Sequence, residues 1–286
     1  MTRKIKNRKA IQENLDDSLP KDLMNNVVEH RVHLKFKNQK QKEFAKLIED
    51  NEIIICSGPA GTGKSFVSIG TALELLQNPN NKYNKIVIIK PIVESSDYQL
   101  GYLKGSLKEK LEPYAASSLS IIDKIIGVKS RKKLEEENII LIDTISFLRG
   151  KSFDGSLLIM EESQNLSPNE MKTLLTRIGE NSKFIISGDI DQSDRFKNVK
   201  ESGLYDAINR FKNLNKIKLF TFDVEDVVRN PIISSILKLY DTPKKEEEVK
   251  IVIKPQLLTE EKVIPEPKVI KTESNLLNKI KKYIKW

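Results

Sequence analysis

Apolar residues rich in isoleucine, leucine and valine concentrate in short runs over residues 53–56, 85–89, 139–142, 157–160, 184–187 and 217–222. Between them, apolar positions recur every third or fourth residue, for example over 41–51, 64–76 and 168–179. The first pattern is that of strands covered on both faces, the second that of helices with one buried stripe. Strands and helices in alternation build a mostly parallel sheet with helices packed on both sides. Residues 34–240 therefore read as one α/β domain, and no internal repeat divides it.

The pattern fails at both ends. Residues 1–33 read as a basic arm and lead-in, with Arg3, Lys4, Lys6, Arg8 and Lys9 ahead of the first acid, Glu13. Such an arm is either simply solvated or a contact for nucleic acid. Residues 241–274 turn to Lys, Glu and Pro, a composition that buries too little apolar area to offset its ordering entropy, so a disordered linker is expected. Over 275–286, Leu276, Leu277, Ile280, Tyr283 and Ile284 recur at helical spacing between Lys279, Lys281, Lys282 and Lys285. This is a short basic amphipathic helix, suited to a protein partner's groove better than to a membrane surface.

Composition removes several classes of function. Apolar residues make up 38% of the 286, enough for a sizeable core, so a wholly disordered chain is excluded. One cysteine, Cys56, allows no intrachain disulfide and points to a reducing, cytoplasmic setting. Cys56 ends the first apolar run and reads as a small buried hydrophobe, with a reactive thiol as the alternative. Two histidines and one cysteine leave little for a zinc site. No run approaches the length of a membrane helix, and the basic start has no apolar run behind it, so neither a membrane span nor a secretory leader is expected. Lys and Arg number 49 against 40 Asp and Glu, a formal +9 that suits a polyanionic partner.

Candidate chemistry begins where the first strand ends. Gly58-Pro-Ala-Gly-Thr-Gly-Lys64-Ser65 fits the phosphate-loop pattern G-x-x-x-x-G-K-[ST], between a strand and a helix as that loop requires. Gly58, Pro59, Ala60, Gly61, Thr62 and Gly63 let backbone N–H groups turn toward a phosphate at a helix N-terminus. Lys64 reaches the β- and γ-phosphates, and the Ser65 hydroxyl ligates Mg²⁺. No Asn-Lys-x-Asp motif for guanine follows, which disfavours a GTPase.

Two further strand ends carry polar chemistry. The run at 157–160 ends in Glu161-Glu162, and carboxylates at the carboxyl end of such a strand fall at the ligand crevice. One acid, Glu161, can hold Mg²⁺, and the next, Glu162, can orient and deprotonate an attacking water. The run at 184–187 exits through Gly188-Asp-Ile-Asp-Gln192. There Gln192 can hydrogen-bond the γ-phosphate or the water; the alternative is a polar turn.

With these residues in view the chain resembles the PhoH-like ATPases, a family related to the superfamily 1 helicases. The resemblance is carried by the phosphate loop, Lys90-Pro-Ile-Val-Glu-Ser95 with Leu100-Gly-Tyr-Leu-Lys-Gly105, Leu148-Arg-Gly-Lys151, Glu161-Glu-Ser-Gln-Asn165, Ser187-Gly-Asp-Ile-Asp-Gln192 and Asp226-Val-Val-Arg-Asn-Pro231. The family usually has Asp where this chain has Glu161. The resemblance implies a single RecA-like P-loop NTPase domain that hydrolyses ATP with Mg²⁺. It implies that Gln41 reads adenine, the alternative being a surface residue, and that Arg229 contacts phosphate, the alternative being a salt bridge at a helix start. It further implies that residues 90–105 touch RNA or single-stranded DNA, with Lys90 and Lys104 at phosphates and Tyr98 and Tyr102 stacked on bases. An oligomer contact is the competing role for that segment.

A helicase of this kind clamps ATP between two α/β domains, and this pattern shows one. A homo-oligomeric ring in which a neighbour supplies the arginine is therefore expected, or an ATPase without unwinding. Two other classes compete: a conformational or recruitment module that binds ATP and engages a protein through the C-terminal helix, and a small-molecule phosphotransferase. The phosphotransferase is disfavoured by Glu161, Glu162 and Gln192, which suit the activation of water.

Overall fold

The computed structural model of the protein describes residues 19–80, 82–92 and 107–228. Within them, six strands form one all-parallel sheet: β1 (Ile53–Ser57), β2 (Lys85–Lys90), β3 (Ile140–Thr144), β4 (Ser156–Met160), β5 (Lys183–Gly188) and β6 (Ile217–Thr221). Their order is β3-β2-β4-β5-β1-β6. Seven helices accompany them: α1 (Leu19–Val27), α2 (Gln39–Asp50), α3 (Lys64–Gln77), α4 (Leu107–Ile126), α5 (Val128–Glu136), α6 (Pro168–Leu175) and α7 (Gly203–Phe211). All six apolar runs are strands, within a residue or two at each end.

Alternation along each strand divides the core in two. Ile54, Cys56, Ile86, Ile88, Leu157, Ile159 and Ile185 meet Phe44 of α2, Leu73 of α3, Ile122 of α4 and Leu134 of α5 on one face. Ile55, Val87, Ile89, Leu158, Met160, Phe184 and Ile186 meet Leu174 of α6 and Leu204 of α7 on the other. Burial on both faces is why these strands are apolar throughout. The edge strands β3 and β6 are only partly buried along their middles.

Two boundaries differ from expectation. The lead-in placed before residue 34 contains α1, and Met24, Val28 and Val32 join the core. Its apolar set is short and flanked by charge, which hid it beside the basic arm. The helix expected over 168–179 starts with a capping box, Ser167 and Glu170, but ends at Leu175. Past it Ile178 bridges to Phe153, so backbone pairing replaces the last expected turn.

Candidate nucleotide site

The carboxyl ends of β1, β4 and β5 surround a cavity of about 620 Å³. The phosphate loop forms its floor. Gly63 precedes α3 with φ 90°, and a Cβ there would lie 2.5 Å from Gln41 Nε2, so glycine is required on both counts. The Gly58 N–H donates to the Gly188 carbonyl at 3.2 Å, which ties the loop to β5. Lys64 Nζ donates to the Gly58 and Pro59 carbonyls at 2.6 and 2.9 Å, inside the loop. Ser65 opens α3 beside it and lines the same cavity.

Gln41 is buried, at 2% exposure, and is not the surface residue that was its alternative. Its Nε2 donates to the Thr62 carbonyl at 2.9 Å and its Oε1 accepts from the Lys37 N–H at 2.8 Å. Those bonds use half the capacity of the amide. They tie α2 to the phosphate loop, and Gln41 still lines the cavity.

The adjacent acids part company. The Glu161 N–H continues the ladder to the Ile89 carbonyl at 3.2 Å, so Glu161 keeps strand geometry. Its side chain is buried, accepts from Ser118 Oγ, and pairs with Lys90 Nζ at 3.0 Å. Glu162 leaves the strand with φ 52°, a left-handed conformation rare for a non-glycine residue, and its exposed side chain lines the cavity.

Gln164 links the polar groups of the site. Its Oε1 accepts from the Asp189 N–H at 3.1 Å, while its Nε2 donates to Glu162 Oε2 at 2.7 Å and to the Gln192 carbonyl at 3.1 Å. Gly188 admits this side chain, since a Cβ there would lie 2.5 Å from Gln164 Oε1. Asp189 in turn accepts from the Ala60 N–H of the loop at 3.1 Å. Burial pushes the Asp189 carboxyl above the ordinary aspartate range, while the Asp191 N–H, the Lys64 ammonium and the Ala60 N–H pull it back. Sequence reasoning assigned no role to Gln164, Asp189 or Ser118. The signal for the first two lay in the quoted motifs; Ser118 carried none.

Lys64, Ser65, Glu162 and Gln192 are thus brought to one cavity together with Gln41. Lys90 requires a correction: it also lines the cavity, but as the buried partner of Glu161 and not as an exposed contact for nucleic-acid phosphates. At 8% side-chain exposure its ammonium is engaged by Glu161 at the wall of the cavity. Arg229, Tyr98, Tyr102, Lys104 and the tails lie outside the described residues; the last described residue before Arg229 is Val228, whose N–H donates to the Gly61 carbonyl at 3.0 Å.

Magnesium takes oxygen donors in octahedral geometry and keeps several waters. Among the described residues no group of three or more His, Cys, Asp or Glu is placed to hold a metal alone. Ser65, Glu162 and Asp189 offer hard oxygen donors at the cavity, so the ion fits there in company with phosphate oxygens and water, whereas Glu161, the acid expected to hold it, does not line the cavity and is taken up by Lys90 and Ser118.

A parallel sheet whose first strand feeds a phosphate loop into a helix, with acids and a polar turn at the neighbouring strand ends, defines a P-loop NTPase domain of the RecA-like class. The particular family follows from comparison: residues 33–241 match the model of the PhoH-like proteins, and the chain belongs to that family. It is 36% identical over 208 residues to the PhoH-like protein of Bacillus subtilis, covering 73% of this chain and 64% of that one. To Protein PhoH of Escherichia coli it is 32% identical over 206 residues, covering 71% and 57%. The chain thus spans less than two thirds of the length of these relatives. Among solved structures, the UvsW helicase from bacteriophage T4 matches with TM-score 0.42 and 13% identity over 71% of this chain and 67% of that one. The Pif1 helicase from Candida albicans matches with TM-score 0.36 and 16% identity, over 73% and 44%. Likenesses this loose assign no role to any residue. No helix among the described residues is long and apolar enough to cross a membrane.

Proposed function

We propose that this domain binds ATP with Mg²⁺ and hydrolyses it, with turnover coupled to RNA or single-stranded DNA. The convergence of Lys64, Glu162 and Gln192 on the cavity of the phosphate loop is the observation that supports hydrolysis. In this reading residues 58–65 hold the triphosphate, and Lys64 exchanges the Gly58 and Pro59 carbonyls for β- and γ-phosphate oxygens. Glu162 takes the proton of the water that attacks the γ-phosphorus, and Gln192 hydrogen-bonds the γ-phosphate or that water. Gln41 faces the base. Bound Mg²⁺ would supply neutralisation of phosphate charge, with Ser65, Glu162 and Asp189 at the cavity to hold it.

Coupling to nucleic acid is supported by the chain's excess of 49 basic over 40 acidic residues and by Tyr98, Tyr102 and Lys104 in the segment after β2. Arg229 completes the site, within one copy or across a homo-oligomeric ring, where a neighbour would also exclude water from the γ-phosphate. The test is the ATPase rate of the full chain alone and with RNA, single-stranded DNA or duplex, beside the Lys64→Ala variant. Turnover that Lys64→Ala abolishes and single strands stimulate is the expected result. Turnover that survives in Lys64→Ala places the chemistry elsewhere, and a rate indifferent to every nucleic acid removes the coupling.

A further inference from the structure

Lys90 and Glu161 follow one another across neighbouring strands. Ile89 of β2 pairs with Met160 of β4, and the ladder runs one step further through the Glu161 N–H to the Ile89 carbonyl. Alternation sets Lys90 on the face of Ile86 and Ile88, and Glu161 on the face of Leu157 and Ile159, which is one and the same face. Helix α4 covers it and brings Ser118 Oγ to the Glu161 oxygen that Lys90 also meets. Side-chain exposure is 8% for Lys90 and 2% for Glu161, so water screens the pair little.

A buried carboxylate behind a phosphate loop repels the polyanion the loop is built to take. The chain answers with a cation of its own, placed at the cavity wall. One carboxylate oxygen of Glu161 meets both Lys90 Nζ and Ser118 Oγ. Resting on the nucleotide reading above, we propose that Lys90 is a positioning residue that serves as a resident counter-cation. It holds Glu161 neutralised, so that nucleotide binds with little dependence on divalent metal.

Equilibrium binding of a fluorescent non-hydrolysable ATP analogue to the full chain, in EDTA and in excess Mg²⁺, tests this without reference to turnover. The wild-type affinities in the two conditions are expected to lie within about tenfold. Lys90→Gln leaves Glu161 uncompensated and is expected to lose on the order of tenfold in EDTA, the scale of one unit charge acting on phosphate through a partly screened interior, with Mg²⁺ restoring most of it. Glu161→Gln frees the Lys90 charge and is expected to gain affinity in EDTA by a similar factor. Lys90→Arg keeps the wild-type ratio, and the double variant Lys90→Gln/Glu161→Gln returns to it. Removing one partner of a buried pair can unfold a domain, so thermal melting is read alongside; should Lys90→Gln not fold, the Glu161→Gln gain decides. Equal EDTA-to-Mg²⁺ ratios in the wild type and in the folded single variants overturn the proposal while leaving the nucleotide site in place. A wild-type chain that binds no analogue in either condition overturns the nucleotide reading itself.

Discussion

Glu161 and Glu162 share a side-chain chemistry and a peptide bond, and the fold gives them opposite surroundings. Strand geometry carries Glu161 under α4 to Lys90, whereas the left-handed backbone at Glu162 turns its carboxylate into the cavity beside Gln164. Of the two, only Glu162 lines the cavity of the phosphate loop. Glu162→Gln is therefore expected to bind nucleotide but hydrolyse it about 100-fold or more slowly, the scale of a lost general base. Glu161→Gln is expected to retain far more turnover. Single-turnover rates of both variants check this, and a dead Glu161→Gln beside an active Glu162→Gln reverses the assignment. The pair and its place at a strand end were legible in the sequence; the partner of Glu161 was not, because Ser118 and Lys90 come from elements whose register only the fold fixes. Cys56 matches its sequence reading: it is fully buried, and burial pushes its thiol far above the ordinary range.

Helix α2 shows how an element is held to the site at one end and to the sheet at the other. Asn38 caps its N-terminus, accepting from the Gln41 N–H at 2.9 Å, and Gln41 reaches the phosphate loop. At the C-terminus Lys183 of β5, only 2% exposed, donates to the carbonyls of Ile48, Glu49 and Asn51. An ammonium there satisfies carbonyls that a helix end leaves unpaired and meets the negative end of its dipole. Burial lowers its pKa from the ordinary 10.5 to about 8, against the opposing pull of Asp50, Glu52 and Glu49. Between those values the unfolded chain holds the proton and the folded one releases it. This group's contribution to stability therefore rises with pH across the window and is flat below it. Urea midpoints followed from pH 8 to 10.5 should climb less steeply in Lys183→Met than in the wild type; parallel curves would show that Lys183 does not titrate there. Every strand was legible: the inner strands, buried on both faces, show as continuous apolar runs, and the half-buried edge strand β6 keeps enough apolar residues between Lys218 and Thr221 to be read. Helix α4 was less so. Leu111, Ala115, Leu119, Ile122 and Ile126 keep helical spacing along it, but Pro113 breaks the pattern within the second turn and reads as a stop.

At the scale of the whole molecule the formal charge is +9, and much of it sits in the terminal segments: five cations over residues 3–9 and four over 279–285. The two ends differ in what accompanies the charge. Residues 3–9 contain Ile5 as their one apolar side chain, while Leu276, Leu277, Ile280, Tyr283 and Ile284 run through the basic C-terminal segment at helical spacing. Charge without an apolar stripe suits phosphates; charge beside one suits the groove of a protein partner. The fold allows the two to be separated experimentally. A cut after residue 12 spares α1, whose Met24 belongs to the core, and a cut before residue 274 lies beyond the family-matched span of 33–241. Each phosphate neutralised on a single strand adds about 0.7 to the slope of log affinity against log salt, so loss of a five-cation arm that contacts RNA should flatten that slope by up to about 3.5 units. Deleting residues 274–286 is expected to leave the slope nearly unchanged. RNA binding titrated over a salt series for the full chain and the two truncations reads both effects at once. A slope flattened by the C-terminal deletion and not by the N-terminal one would transfer the nucleic-acid contact to the amphipathic segment and leave the N-terminal arm a merely solvated one.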